Sequence, residues 1–194
     1  MNIVKIKREI IELGKFLFKR GYIIANDGNL SVRLSKQEML ITARNVNKGE
    51  LKSRDLIKLS LNEQIKDLRE LKIKPSTEYR LHLGIYQKRN DINAIIHAHP
   101  LYSTIYAVLG KKLDVNLLTE TAMTLGAIGY VKNYPPGSLE LATAVAQSAI
   151  NSNVILLAKH GVVVIGQNLR EARDRLERLE FLAKISFLLS VFRD

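Results

Sequence analysis

An α/β fold is what this sequence predicts, and three observations predict it. Apolar residues recur at helical spacing near both ends, as Ile6, Ile10, Leu13 and Leu17, and again as Ala172, Leu176, Leu179 and Ala183. Between them lie short apolar runs of strand length at 30–34, 39–42, 56–61, 94–96, 127–131, 154–157 and 162–165. The two kinds of segment are interleaved along the chain, with no internal repeat and no low-complexity tract. With 194 residues, 46% apolar and 25% charged, the chain has the size and make-up of one globular domain.

The first helix carries charge on its outer face through Arg20, and Gly21 is its natural stop. The turn Asn26-Asp27-Gly28-Asn29 follows. It reads equally as a plain hairpin connection and as a backbone cradle, because Gly28 lets an anion approach main-chain N–H groups closely. Strands over 30–34 and 39–42 are expected to form a hairpin, followed by a polar loop, 43–49, and a third strand over 56–61. Residues 62–74 are charged and irregular, a surface excursion rather than a linker. Ser76 or Thr77 is the expected N-cap of a helix running to about Lys88, with Glu78 in its first turn and His82 four residues on, on the same face. His82 is expected to be a buried or capping residue that supports Glu78.

The strand over 94–96 runs straight into His97 and His99. Alternate residues on an extended chain share a face, so both imidazoles aim at one spot, and Pro100 then opens a helix ending at Gly110. A second strand, 154–157, carries into Lys159-His160-Gly161 and pairs as an antiparallel hairpin with 162–165. Imidazole is the commonest nitrogen ligand of zinc, and three of the four histidines converging near an acid would form a His₃ metal site. A lone His after a strand is also an ordinary hydrogen-bonded surface residue, and exposed strand ends produce His-x-His as well; spacing alone leaves both readings open. Ser138 caps a helix through Ile150, and Asn168 caps the last one. Beyond Phe181 that last helix is apolar nearly all round, so either its own domain or a neighbouring subunit must cover it.

Composition excludes several classes. No run approaches the length of a membrane span, and charged residues interrupt every apolar stretch of the N-terminus, which is not the pattern of a signal peptide. With no cysteine, disulfides and thiolate ligands are absent, which fits a cytoplasmic protein whose metal, if any, is held by His, Asp or Glu. The net charge of +11 is scattered rather than clustered, Trp is absent and no nucleic-acid-binding motif appears. Solvated helix faces account for most of that charge, and attraction of an anionic metabolite for the rest.

Five segments in register carry a resemblance: Asn-Asp-Gly-Asn-Leu-Ser at 26–31, Leu-Ile-Thr at 40–42, Pro-Ser-Thr-Glu at 75–78, His-Ala-His-Pro at 97–100 and Lys-His-Gly at 159–161. Together they resemble the class II aldolase and adducin-head family over nearly the whole chain. The resemblance implies a single three-layer α/β/α domain with a largely antiparallel central sheet, assembled as a homotetramer. It implies that His97, His99 and His160 bind one Zn²⁺ per chain, with Mn²⁺ or Co²⁺ as substitutes. Glu78 would ligate the metal at rest and act as acid or base when substrate displaces it. Gly28, Asn29, Ser76 and Thr77 match positions that hold a substrate phosphate. The implied activity is reversible retro-aldol cleavage of a small sugar phosphate, L-fuculose-1-phosphate-like, or of a hydroxy-keto acid. Breaking a carbon–carbon bond beside a ketone leaves an enediolate, whose charge needs a Lewis acid.

Two departures qualify the substrate. Where sugar-phosphate aldolases have a Pro-Ser/Thr-Gly turn, this chain has Ala43-Arg44-Asn45; Arg44 and Asn45 then become anion-binding candidates, and Arg44 suits a carboxylate as well as a phosphate. A tyrosine expected near 117–118 is missing, and Glu120 stands nearby as a candidate proton donor or an ordinary surface residue. A same-fold epimerase or dehydratase is the alternative enzyme. A metal-free, adducin-like oligomeric scaffold is the alternative outside catalysis, although adducin-type heads have generally lost the histidines that this chain keeps.

Overall fold

The computed structural model describes residues 2–62, 68 and 71–192. Helix α1 (Ile3–Lys19) starts where the Asn2 side chain accepts from the Val4 and Lys5 N–H groups, and buries Ile6, Ile10, Leu13 and Leu17. Strands β1 (Asn29–Arg33), β2 (Glu38–Thr42) and β3 (Leu56–Ser60) form an antiparallel meander. Helix α2 (Tyr79–Lys88), strand β4 (Ala94–Ala98) and helix α3 (Leu101–Leu109) follow. Then come helix α4 (Thr119–Thr124), strand β5 (Ile128–Val131), helix α5 (Leu139–Ser148), strands β6 (Val154–Leu157) and β7 (Gly161–Gly166), and the long helix α6 (Leu169–Val191).

The seven strands make one sheet in the order β3-β2-β1-β4-β7-β6-β5. Every neighbouring pair is antiparallel except β5–β6, which is parallel and bridged by α5, since a parallel pair needs a crossover. Alternation along the strands separates two apolar faces. Leu30, Val32, Leu40, Ile96, Val162 and Val164 pack under α1, α3 and α6, whereas Ile41, Ile95, Val163 and Ile165 pack under α2 and α5. The expected α/β/α layering and largely antiparallel sheet are both present.

Several local expectations shift. Helix α2 begins at Tyr79 with Glu78 in the N-cap position, not with Ser76 or Thr77. The Ser76 hydroxyl does accept the Glu78 N–H (3.3 Å), but Thr77 and Glu78 form a turn closed by the Tyr79 N–H on the Ser76 carbonyl (3.1 Å), and the helix starts only after it. The 26–29 turn makes no hairpin; it links α1 to β1, and the hairpin turn lies between Arg33 and Glu38. Of the expected excursion over 62–74, residues 63–67, 69 and 70 lie outside the described residues. The end of α6 is not covered by its own chain among the described residues: Val191 is 59% and Phe192 84% exposed, while Leu182 and Ala183 are fully buried. No helix among the described residues is long and apolar enough to cross a membrane.

Candidate metal centre

Register places the first two ligand candidates. Asn29 of β1 stands directly across from His97 of β4, so both side chains project from the α2 face of the sheet. His99 follows two residues later, past the strand end, on the same side. His160 arrives from the other direction. Lys159 takes a left-handed conformation (φ 57°), reversing the chain between β6 and β7 and laying His160 over the end of β4. Gly161 must lack a side chain, because a Cβ there would fall on His99 Cδ2 and the Ala98 carbonyl. Gly28 (φ 64°) is equally constrained, a Cβ meeting the His97 carbonyl oxygen at 2.6 Å.

The three histidines offer ligand atoms that all lie within 4.8 Å of one another. His97 Nε2 is 3.3 Å from His160 Nε2, about the separation of two nitrogens on one tetrahedral zinc (roughly 3.3 Å for bonds of ~2.0–2.1 Å). The hydrogen bonding asks for a cation as well. His97 Nδ1 donates to the Val162 carbonyl (3.0 Å), so a neutral His97 turns a lone pair toward Glu78 Oε2 (3.1 Å) and His160 Nε2. Acceptors then face acceptors. Glu78 Oε1, His99 Nδ1 and His160 Nδ1 are buried with no hydrogen-bond partner among the described residues. The donor set fits a divalent ion that takes imidazole and carboxylate.

Electrostatics point the same way. Burial pushes His99 down to about 3, helped by the neighbouring His97 and His160, and it lowers His160 too, so both rings are neutral and ready to ligate. Burial opposes charge on His97 and Glu78 as well, but each holds the other ionised: His97 is raised, and Glu78 lies well below the usual carboxylate range. A proton on His97 takes the place of a metal's charge.

Above the histidines opens a cavity of about 460 Å³ lined by Gly28, Asn29, Arg44, Asn45, Ser76, Thr77, Glu78, His99 and His160, together with Asn26, Asp27, Lys48 and Lys159. Most of the residues expected to bind an anion or act on substrate thus border one space, with His97 fully buried beside it. Asn29 sits in its wall rather than at its mouth, 2% exposed, its amide spent on Glu78 and His82. Glu120 does not border the cavity; it lies exposed on α4. His82 is fully buried and held down to about 3, by burial and by His97, and it reaches Glu78 through Asn29.

Lys48 is a member of this site that the sequence does not announce. It is 1% exposed and its ammonium donates to the Asn26 and Val46 carbonyls (2.7 and 2.8 Å), clasping the two loops at the cavity rim. Burial lowers it to about 8 against the pull of Asp27. A lysine in a polar loop gives no sequence pattern by which this could be found.

Fold and site together define a metal-dependent lyase of the class II aldolase kind. The profile of the Class II Aldolase and Adducin N-terminal domain matches residues 8–187, and the chain belongs to that family. The L-fuculose phosphate aldolase of Methanocaldococcus jannaschii is 38% identical over 182 residues, 94% of this chain and 96% of that protein. The 3-oxo-tetronate 4-phosphate decarboxylase of Haemophilus influenzae is 35% identical over 188 residues, 94% of this chain and 87% of that one. A solved L-fuculose 1-phosphate aldolase superposes with a TM-score of 0.84 at 33% identity, covering 98% of this chain and 88% of its own.

Proposed function

We propose that the protein is a zinc-dependent aldolase that cleaves a small sugar phosphate reversibly, working as a cytoplasmic homo-oligomer, in the form of a tetramer. The observation that carries this reading is the meeting of three imidazoles with the Glu78 carboxylate on one wall of the cavity. A phosphorylated substrate is favoured because relatives of both names act on phosphates. The uncovered apolar end of α6 supports assembly with further copies.

His97, His99 and His160 would hold the cation, with Glu78 beside it; Mn²⁺ or Co²⁺ are credible substitutes. When bound, it supplies Lewis acidity to a ketone oxygen and its adjacent hydroxyl, where charge builds as the carbon–carbon bond breaks. Glu78 moves the proton: as a carboxylate it takes one from the donor carbon in the condensation direction, and it returns it in cleavage. Gly28 and Thr77 would offer main-chain N–H groups, and Ser76 and Thr77 their hydroxyls, to the substrate's anionic end, with Arg44 and Asn45 lining the same cavity from the opposite loop. Asn29 belongs to the same wall and acts on Glu78. Glu120 enters this scheme only as a residue that a neighbouring subunit presents.

The test is a donor panel. Zinc-loaded protein is incubated with dihydroxyacetone phosphate and short aldehydes, and in parallel with pyruvate as donor. Product with the first donor alone is expected; product with pyruvate alone would turn the reading to hydroxy-keto acids. Glu78→Gln should still bind zinc through the three histidines, though more weakly, and at saturating zinc should lose about 10²–10⁴-fold in kcat. A second reading, decarboxylation of a phosphorylated 3-oxo acid, is favoured by the Haemophilus influenzae relative and by exposed Arg44 at the rim, which suits a carboxylate. Carbon dioxide release from such an acid, without aldol product, would select it.

A further inference from the structure

Glu78 is held from behind by a line of buried side chains that starts at Asn29, in the cavity wall, and runs through His82, Ser31 and Tyr86, which do not line the cavity. Asn29 Nδ2 donates to Glu78 Oε2 at 3.0 Å, and Asn29 Oδ1 faces His82 Nε2 at 2.5 Å. His82 Nδ1 lies 2.7 Å from Ser31 Oγ, which lies 2.9 Å from the Tyr86 hydroxyl. Exposure is no more than 6% for any of the five. Two periodicities meet here: Asn29 and Ser31 are alternate residues of β1, and Glu78, His82 and Tyr86 are spaced by four along α2.

The direction of every bond follows from the carboxylate. Ionised Glu78 only accepts, so Asn29 turns its nitrogen to it and its oxygen to His82. That oxygen only accepts, so His82 Nε2 carries the hydrogen. A neutral ring has one, so Nδ1 accepts from the Ser31 hydroxyl, whose own 2.9 Å contact then takes the Tyr86 hydrogen in preference to the longer contact of Tyr86 with the Asn93 carbonyl (3.4 Å). Hydrogens are donated toward Glu78 Oε2 along the whole line. Reversing one member reverses all of them and turns the Asn29 oxygen on Glu78, an arrangement that only a protonated carboxyl tolerates.

We propose that His82 is a positioning residue for Glu78: acting through Asn29 it ties down Oε2 and leaves Oε1 as the oxygen that meets the metal or the substrate. This rests on the reading of Glu78 given above. Oε2 is held by Asn29 Nδ2, whereas Oε1 is buried without a hydrogen-bond partner among the described residues and lies 3.7 Å from His160 Nε2. A carboxylate with one oxygen anchored cannot spin about its last bond, so the reactive lone pairs keep one heading.

Two measurements test it. In metal-free protein labelled with ¹⁵N-histidine, long-range ¹⁵N–¹H correlations should show His82 as the Nε2–H tautomer between pH 6 and 8. An Nδ1–H tautomer or an imidazolium would overturn the proposal. Zinc affinity is then measured by chelator competition on variants whose fold is checked by circular dichroism. His82→Leu should bind about 10–100-fold more weakly, and His82→Gln, whose amide N–H can still reach Asn29, should stay within about threefold of wild type. Wild-type affinity in His82→Leu, or equal loss in both folded variants, would overturn it. If His82→Leu does not fold, Ser31→Ala decides: removing the donor to Nδ1 should weaken zinc binding about 3–10-fold, and no change would overturn it. A wild-type chain that binds no zinc sinks the metal-centre reading instead, and the tautomer alone then judges the hydrogen-bond line.

Discussion

Gly161 carries more of the metal centre than its lack of a side chain suggests. The His99 ring occupies the space a Cβ would need, and the Ala98 carbonyl blocks the other side. Gly161→Ala should therefore push His99 out of register, weakening zinc binding at least tenfold and costing about 1–3 kcal/mol of stability. Chelator competition and thermal melting would check the two effects, and unchanged zinc affinity would contradict the packing argument. At this scale the histidines are legible in sequence because strand alternation is local: His97 and His99 are two apart, and His160 follows a strand of its own. The line from Tyr86 to Glu78 is not legible beyond a general expectation that His82 supports Glu78. It needs the partner strand to bring Asn29 and Ser31 over α2, and their separations of about fifty residues leave no periodic trace.

Helix α3 shows the same limit for whole elements. Its N-cap is Pro100, which offers no capping side chain, so the first N–H groups need a partner from elsewhere. Glu180 of α6 provides it. One carboxylate oxygen accepts from the Tyr102 N–H (2.9 Å), and the other from the Ser103 N–H (2.8 Å) and hydroxyl (2.7 Å). The anion sits where the helix dipole favours it, and it fastens α6 to the helix that leaves directly from His99. Glu180→Ala should cost about 1.5–3 kcal/mol, read from denaturant unfolding, because three donors lose a charged acceptor. Ser103→Ala should cost less; equal costs would argue that the hydroxyl, not the cap, matters. In sequence Glu180 is an acid in a charged helix, and its partners lie 77 and 78 residues away. The start of α2 also departs from expectation. Ser76 has the right side chain for a cap and does accept the Glu78 N–H, but a turn over Thr77 and Glu78 separates it from the helix.

For the whole molecule, alternation and helical spacing foretell the layers well, because burial on two faces of a sheet writes itself into every strand. Strand order and the clasp made by Lys48 do not follow from them, since both depend on contacts between distant segments. The histidines also make the stability of the metal-free protein depend on pH. His82, His99 and His160 have folded pKa values depressed below 6.5, so the unfolded chain binds more protons as pH falls through that value, and stability drops. His97 is raised, and its contribution is present below 6.5 and lost as pH rises through its folded value; Glu78 is depressed, and its share persists down to about 4.5 and fades below it. Below 6.5 the contribution of His97 is already present, so on the acid side the three depressed rings set the trend. The melting temperature of metal-free protein should fall from pH 6.5 to pH 5. Zinc should raise it at pH 7 and do progressively less on the acid side, because protons compete for the same nitrogens.

The metal content of the purified chain, measured by atomic emission after zinc loading and desalting, tests the central claim most directly. Wild type should hold about one zinc per chain, and His97→Ala, His99→Ala and His160→Ala should each hold far less while remaining folded. Full zinc retention in any one of the three folded variants, or none in the wild type, would contradict a single cation shared by all three imidazoles.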